Sequence, residues 1–144
     1  MFRKILYPTD FSDVSKKALQ YLIQLKEAGT EEVVILHIID TRTLHIPEVY
    51  SLFDLSLLGE KLESIAQEEA DKIAGKLADA GIKTIIRIEN GIPFKEILRV
   101  EAEEDISLIV IGSHGMSNVQ EMLLGSVSEK VIRKAKKPVL IVKR

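Results

Sequence analysis

The chain has 144 residues, of which 46% are hydrophobic and 29% charged, with a formal net charge of −2. That is the make-up of one ordinary globular domain, long enough to bury roughly 68–70% of its unfolded surface. The near-neutral balance argues against a nucleic-acid or polyanion binder, and the absence of cysteine excludes disulfides, thiolate catalysis and cysteine-ligated metals.

Lys4–Tyr7 opens the chain as a short apolar strand ending at Asp10. Ser12 is placed to cap a helix whose apolar face is Val14, Ala18, Leu22 and Leu25, and Gly29 to end it. Val33–Ile39 reads as a second strand. The segment Thr41–Leu58 then breaks the pattern: it is long for a connection and too apolar to be a solvated linker. A short extra helix, a lid and a subunit contact are its three candidate roles. Leu62, Ala66, Ala70, Ile73 and Leu77 mark a long helix closed by Gly81, followed by a strand at Thr84–Ile88. Pro93 starts a third helix with Ile97, Leu98 and Ala102 as its apolar positions. Leu108–Ile111 is a fourth strand, Ser126-Val-Ser-Glu129 has the form of a capping box opening a fourth helix, and Val139–Val142 is the last strand.

Strict alternation of strands and helices implies an α/β domain with a parallel sheet, right-handed crossovers and helices on both faces. Such sheets bind ligands beyond the carboxyl ends of their strands, where strand order reverses. Between the fourth strand and the fourth helix lies Gly112-x2-Gly115-x9-Gly125-Ser126. Glycines let a backbone approach a ligand closely, and a helix start offers N–H groups and partial positive charge, so this loop can hold a phosphate chain. The N–H groups of Ser126, Val127 and Ser128 are the candidate donors. Asp10 is either an acid near a helix N-terminus or an acceptor for ribose hydroxyls; because a carboxylate repels phosphates, the second role puts it at the nucleoside end.

The glycine motif, the strand before it, Pro138–Val142 after it and the opening Ile5-Leu-Tyr-Pro-Thr-Asp10 together resemble the ATP-binding branch of the universal stress protein family. The resemblance covers the whole chain, 1–144, as one domain carrying an apolar insertion at about 41–58. It implies an open, Rossmann-like five-stranded sheet (adenine nucleotide alpha hydrolase-like) in the order 3-2-1-4-5. It also implies that Gly115, Gly125, Ser126 and Ser128 contact phosphates, that Gly112 lies on the ribose side, that the Ile38 backbone reads adenine and that Ile111 packs on the base. ATP is the implied ligand, with Mg²⁺ or Mn²⁺ bridging its phosphates. A homodimer through the terminal strand 139–142 is expected, since so apolar an edge is a liability unless paired.

Other features point away from chemistry. There is no G-x4-G-K-[ST] motif, no G-x-G-x-x-G after the first strand and no Ser-His-Asp elbow. No two histidines have zinc-site spacing; His37 reads as a sheet residue, His45 falls in the insertion, and His114 shapes the glycine loop or acts as an acid or base. Lys130, Arg133, Lys134, Lys136 and Lys137 suit a solvated helix end, without an aromatic platform for nucleic acid. No run reaches the roughly 18–20 apolar residues of a membrane span, and Met1–Tyr7 lacks the apolar core of a signal peptide. A cytoplasmic, nucleotide-dependent regulatory protein with unknown protein partners is the expected function. A slow ATPase or phosphoryl-transfer enzyme and a dimer that binds no nucleotide are the alternatives.

Overall fold

A computed structural model describes residues 1–44, 52–114 and 124–143. The five apolar runs become β1 (Lys4–Pro8), β2 (Glu32–Asp40), β3 (Lys83–Gly91), β4 (Leu108–Gly112) and β5 (Val139–Val142). They pair in parallel in the order β3-β2-β1-β4-β5, the order the resemblance implied. Between them run α1 (Asp13–Leu25), α2 (Leu52–Asp79), α3 (Pro93–Glu103) and α4 (Ser126–Lys134). Successive side chains on a strand point to opposite faces, which makes two cores. Ile5, Tyr7, Val33, Ile35 and Val110 meet α1 and α2; Leu6, Val34, Leu36, Ile109 and Ile111 meet α3 and α4.

Local chemistry sets several boundaries. Ser12 caps α1 by accepting from the Ser15 N–H at 3.3 Å. Gly29 and Gly81 have φ of 101° and 80°, where a Cβ is disfavoured, and each closes the helical segment before it. Pro93 occupies the first turn of α3, where its missing N–H costs nothing.

Two expectations are corrected. The capping box does not form: the residue in capping position is Gly125, with Ser126 already helical and Glu129 paired with Arg133 at 2.8 Å. The buried positions of α3 are Ile97, Val100 and Glu101, while Ala102 is exposed. A glutamate can take a core position here because its Oε1 accepts the N–H groups of Lys136 and Lys137, both at 2.8 Å. The insertion lies only partly among the described residues. Thr41–Leu44 forms a 3-10 turn, and from Leu52 onward the chain is already α2. Residues 45–51, His45 among them, lie outside the described residues. Among the described residues no helix is long and apolar enough to cross a membrane.

Candidate functional site

The chain runs β1, β2, β3 to one side of the sheet and then crosses to β4 and β5 on the other, so the turns after β1 and β4 diverge and leave a crevice. Its first wall is the turn from β1 into α1. Thr9 N–H donates to Leu36 O at 2.8 Å, Phe11 N–H to Thr9 Oγ1 at 3.0 Å and Ser12 N–H to Asp10 Oδ1 at 3.0 Å. Beneath it, Ser15 Oγ donates to Thr9 Oγ1 at 2.5 Å and Tyr7 Oη to Ser15 O at 2.5 Å. Burial pushes the Tyr7 hydroxyl up from its ordinary value, so it stays a donor at neutral pH.

The second wall is built from β4 and α4. Ser128 Oγ donates to Gly112 O at 3.1 Å and Ser113 O at 2.9 Å, and Gly125 N–H donates to Ser113 O at 2.6 Å. These bonds seat the first turn of α4 against the end of β4. No side chain among the described residues caps this helix. Its first N–H groups have no intrahelical acceptor, so Ser126, Val127 and Ser128 offer donors into the crevice. The hydroxyl proton of Ser128 is committed to carbonyl oxygens, which leaves its backbone N–H for any ligand.

The crevice has a volume of about 420 Å³, inside the span of roughly 300–1,000 Å³ common for small-molecule sites. Eight residues singled out from the sequence line it: Asp10, Ile38, Ile111, Gly112, Gly125, Ser126, Val127 and Ser128. The ninth, Gly115, lies outside the described residues. His114 also lines the crevice, with Nδ1 2.9 Å from Ser113 Oγ. His37 belongs to β2. The basic residues of α4 are exposed, as expected, but they do have an aromatic neighbour: Lys130 and Lys134 lie 4.7 and 5.3 Å from the centre of the Phe94 ring.

The sequence pattern missed Thr9, Ser15, Asp40, Pro93 and Ile97 as lining residues. Asp40 ends β2, and the rule that ligands sit beyond strand carboxyl ends could have found it. Its two carboxylate oxygens accept Arg42 Nε at 2.9 Å and Nη2 at 2.7 Å, and those hydrogen bonds hold its pKa below the ordinary carboxylate value. Among the described residues the two carboxylates of the crevice, Asp10 and Asp40, therefore both sit on the β1/β2 side, opposite the start of α4.

Register adds a backbone feature. β1 pairs with β2 only as far as Pro8 opposite Leu36, whereas β2 continues to Asp40. Leu36 O points toward β1, where it accepts from Thr9. The backbone groups of Ile38, two residues on, point the same way, past the end of β1 and into the crevice.

A family model described as the universal stress protein family matches residues 1–143. The chain is 40% identical over 157 residues to universal stress protein MJ0577 of Methanocaldococcus jannaschii, covering 100% of this chain and 96% of that protein. It is 34% identical to universal stress protein YxiE of Bacillus subtilis, over 99% of this chain and 100% of that one. The solved structure of MJ0577 superposes with a TM-score of 0.91 at 42% identity, covering 100% and 97% of the two chains. The same fold recurs in a universal stress protein solved in complex with cAMP, at 24% identity and a TM-score of 0.67 over 99% of this chain and 97% of that one. It recurs again in an Arabidopsis thaliana family member solved with AMP bound, at 17% and 0.70 over 99% and 92%.

Proposed function

The chain belongs to the universal stress protein family, and from that premise we propose that it binds an adenine nucleotide, ATP foremost, in the crevice between β1 and β4 as a regulatory signal. The observation that carries this reading is the polarity of the crevice. Acceptor-only carboxylates stand at one end and uncapped helical N–H groups at the other. A molecule with hydroxyls and a neutral base at one end and phosphates at the other matches that polarity in one orientation only.

In that orientation Asp10 accepts from the ribose and Gly112 lies beside it. Ile38 turns both an N–H and a C=O toward the base; adenine presents acceptor ring nitrogens next to an amino donor, the complementary set. Ile111 packs on the base. The phosphates meet Ser126, Val127 and Ser128 through backbone N–H groups and Gly115 in the loop before them, while Gly125, whose N–H is held by Ser113 O, lies against them as a residue without a side chain. Among the described residues no three His, Asp or Glu side chains converge on a metal position. Mg²⁺ or Mn²⁺ would accordingly be held through phosphate oxygens, neutralising their charge, an arrangement that needs few protein ligands. The connections that follow β2 and β4 leave the sheet at the crevice, so occupancy would bias the surface they offer to a partner. Binding rather than turnover is the proposed role, and two chains of the same fold carrying cAMP and AMP accord with it.

Ser126→Glu tests the site without disturbing the fold, because Ser126 is exposed and an acid suits the first turn of a helix. Calorimetric titration with ATP and Mg²⁺ should give micromolar or tighter binding to the native chain. The variant should lose about tenfold or more, since the new carboxylate faces the phosphates. Equal affinity in the two proteins would remove the phosphates from the start of α4.

A further inference from the structure

His37 and Phe11 form a brace on the turn that carries Asp10. Phe11 follows Asp10 directly and has φ of 64°, a left-handed conformation that a bulky residue rarely adopts. Such a conformation persists only where its surroundings fix it. The fixing contacts here come from two directions. Within the turn, Phe11 N–H donates to Thr9 Oγ1 and Ser12 N–H to Asp10 Oδ1, both at 3.0 Å. From β2, the His37 ring stacks on the Phe11 ring, with centroids 4.5 Å apart and planes 22° from parallel. His37 Nδ1 also lies 2.8 Å from Thr9 O. A carbonyl oxygen has no proton to give, so Nδ1 carries the hydrogen and donates it. One imidazole thus holds the residue before Asp10 by its carbonyl and the residue after it by its ring.

From this geometry we propose that His37 is a positioning residue. It sets the direction of the Asp10 carboxylate and thereby the recognition of ribose hydroxyls, while touching no part of the nucleotide itself. The inference rests on the reading of Asp10 as the ribose acceptor. His37 is not among the residues lining the crevice. The strained turn explains why a brace is needed: without it the chain at Phe11 would relax toward a more common conformation, and Asp10, one residue away, would rotate with it.

The test compares ATP with 2′,3′-dideoxy-ATP, each with Mg²⁺, by calorimetry on the full chain. Hydroxyls bonded to a well-aimed carboxylate should give native protein a preference of about tenfold or more for ATP. Asp10→Ala should abolish that preference. His37→Phe keeps a ring for the stack and loses the donor; it should bind the dideoxy nucleotide as native protein does while its preference for ATP collapses. His37→Asn restores an N–H close to the place of Nδ1 and should recover much of the preference. Phe11→Asn, whose side chain tolerates a positive φ, removes the stack without adding strain and should also lower the preference, which keeps the test decisive if His37→Phe folds poorly.

Two failures are distinct. If native protein does not discriminate, the ribose role of Asp10 falls and the brace with it. If Asp10→Ala loses the preference while the His37 and Phe11 variants keep it, or lose affinity for both nucleotides equally, the Asp10 reading stands and the brace is overturned.

Discussion

Gly112 is crowded from behind rather than from the crevice. A Cβ there would stand 3.0 Å from Val14 Cγ1 and 3.3 Å from the Ser15 nitrogen, so the residue lets α1 lie against the end of β4. Gly125 is similar: a Cβ would come 3.2 Å from Ser113 O, on the bond that seats α4. The sequence shows that small residues are required at these places but not what crowds them, because Val14 and Ser113 come close only in the folded chain. Gly112→Ala should lower unfolding stability by about 1–3 kcal/mol in a urea titration, as small-to-large changes in packed sites do. An unchanged midpoint would mean that α1 yields freely. Ser128 carries the same lesson. The sequence offers its backbone N–H as a donor, and only the fold shows that its hydroxyl proton is spent on Gly112 O and Ser113 O.

Elements were legible where their signals are local. Ser12, Gly29, Gly81 and Pro93 act through backbone groups within a few residues, and each stands at the boundary the pattern assigned. Where a tertiary partner intervened, the pattern failed. The start of α4 shifted by one residue because Ser113 O takes the Gly125 N–H. The inner face of α3 turned because Glu101 found two N–H groups thirty-five and thirty-six residues away. Glu101 fixes the turn that delivers the chain into β5. Glu101→Ala should cost about 1–3 kcal/mol, through the loss of two charge-assisted hydrogen bonds to part-buried N–H groups. Glu101→Gln, which keeps an acceptor oxygen, should cost visibly less in the same chemical denaturation series; equal losses would assign the effect to packing.

At the scale of the whole molecule, β5 is an edge strand whose outer backbone pairs with no strand among the described residues, and Leu140 on it is 36% exposed. Pairing with a second copy would satisfy both. A homodimer at micromolar concentration by light scattering, reduced to a monomer of unchanged circular dichroism in Leu140→Lys, is the expected result. A monomeric native chain would refute it. The opposite edge is secured differently. Arg87 on β3 pairs with Glu89, Glu103 and Glu104, and Arg99 on α3 with Glu89, Glu96 and Glu103, a network binding that strand to α3.

The sequence by itself determined the alternation of strands and helices and the helix ends set by local caps. Those features depend on periodicity, on φ and on neighbours a few residues apart. It also located Asp10, which follows a strand end, and placed the start of α4 to within one residue. Only the tertiary structure decided that Asp40 joins Asp10 at one end of the crevice, that the Ile38 backbone faces past the end of β1, and that His37 braces Phe11. Each of these depends on the register between strands and on contacts across the sheet, and no spacing along one chain encodes such distances.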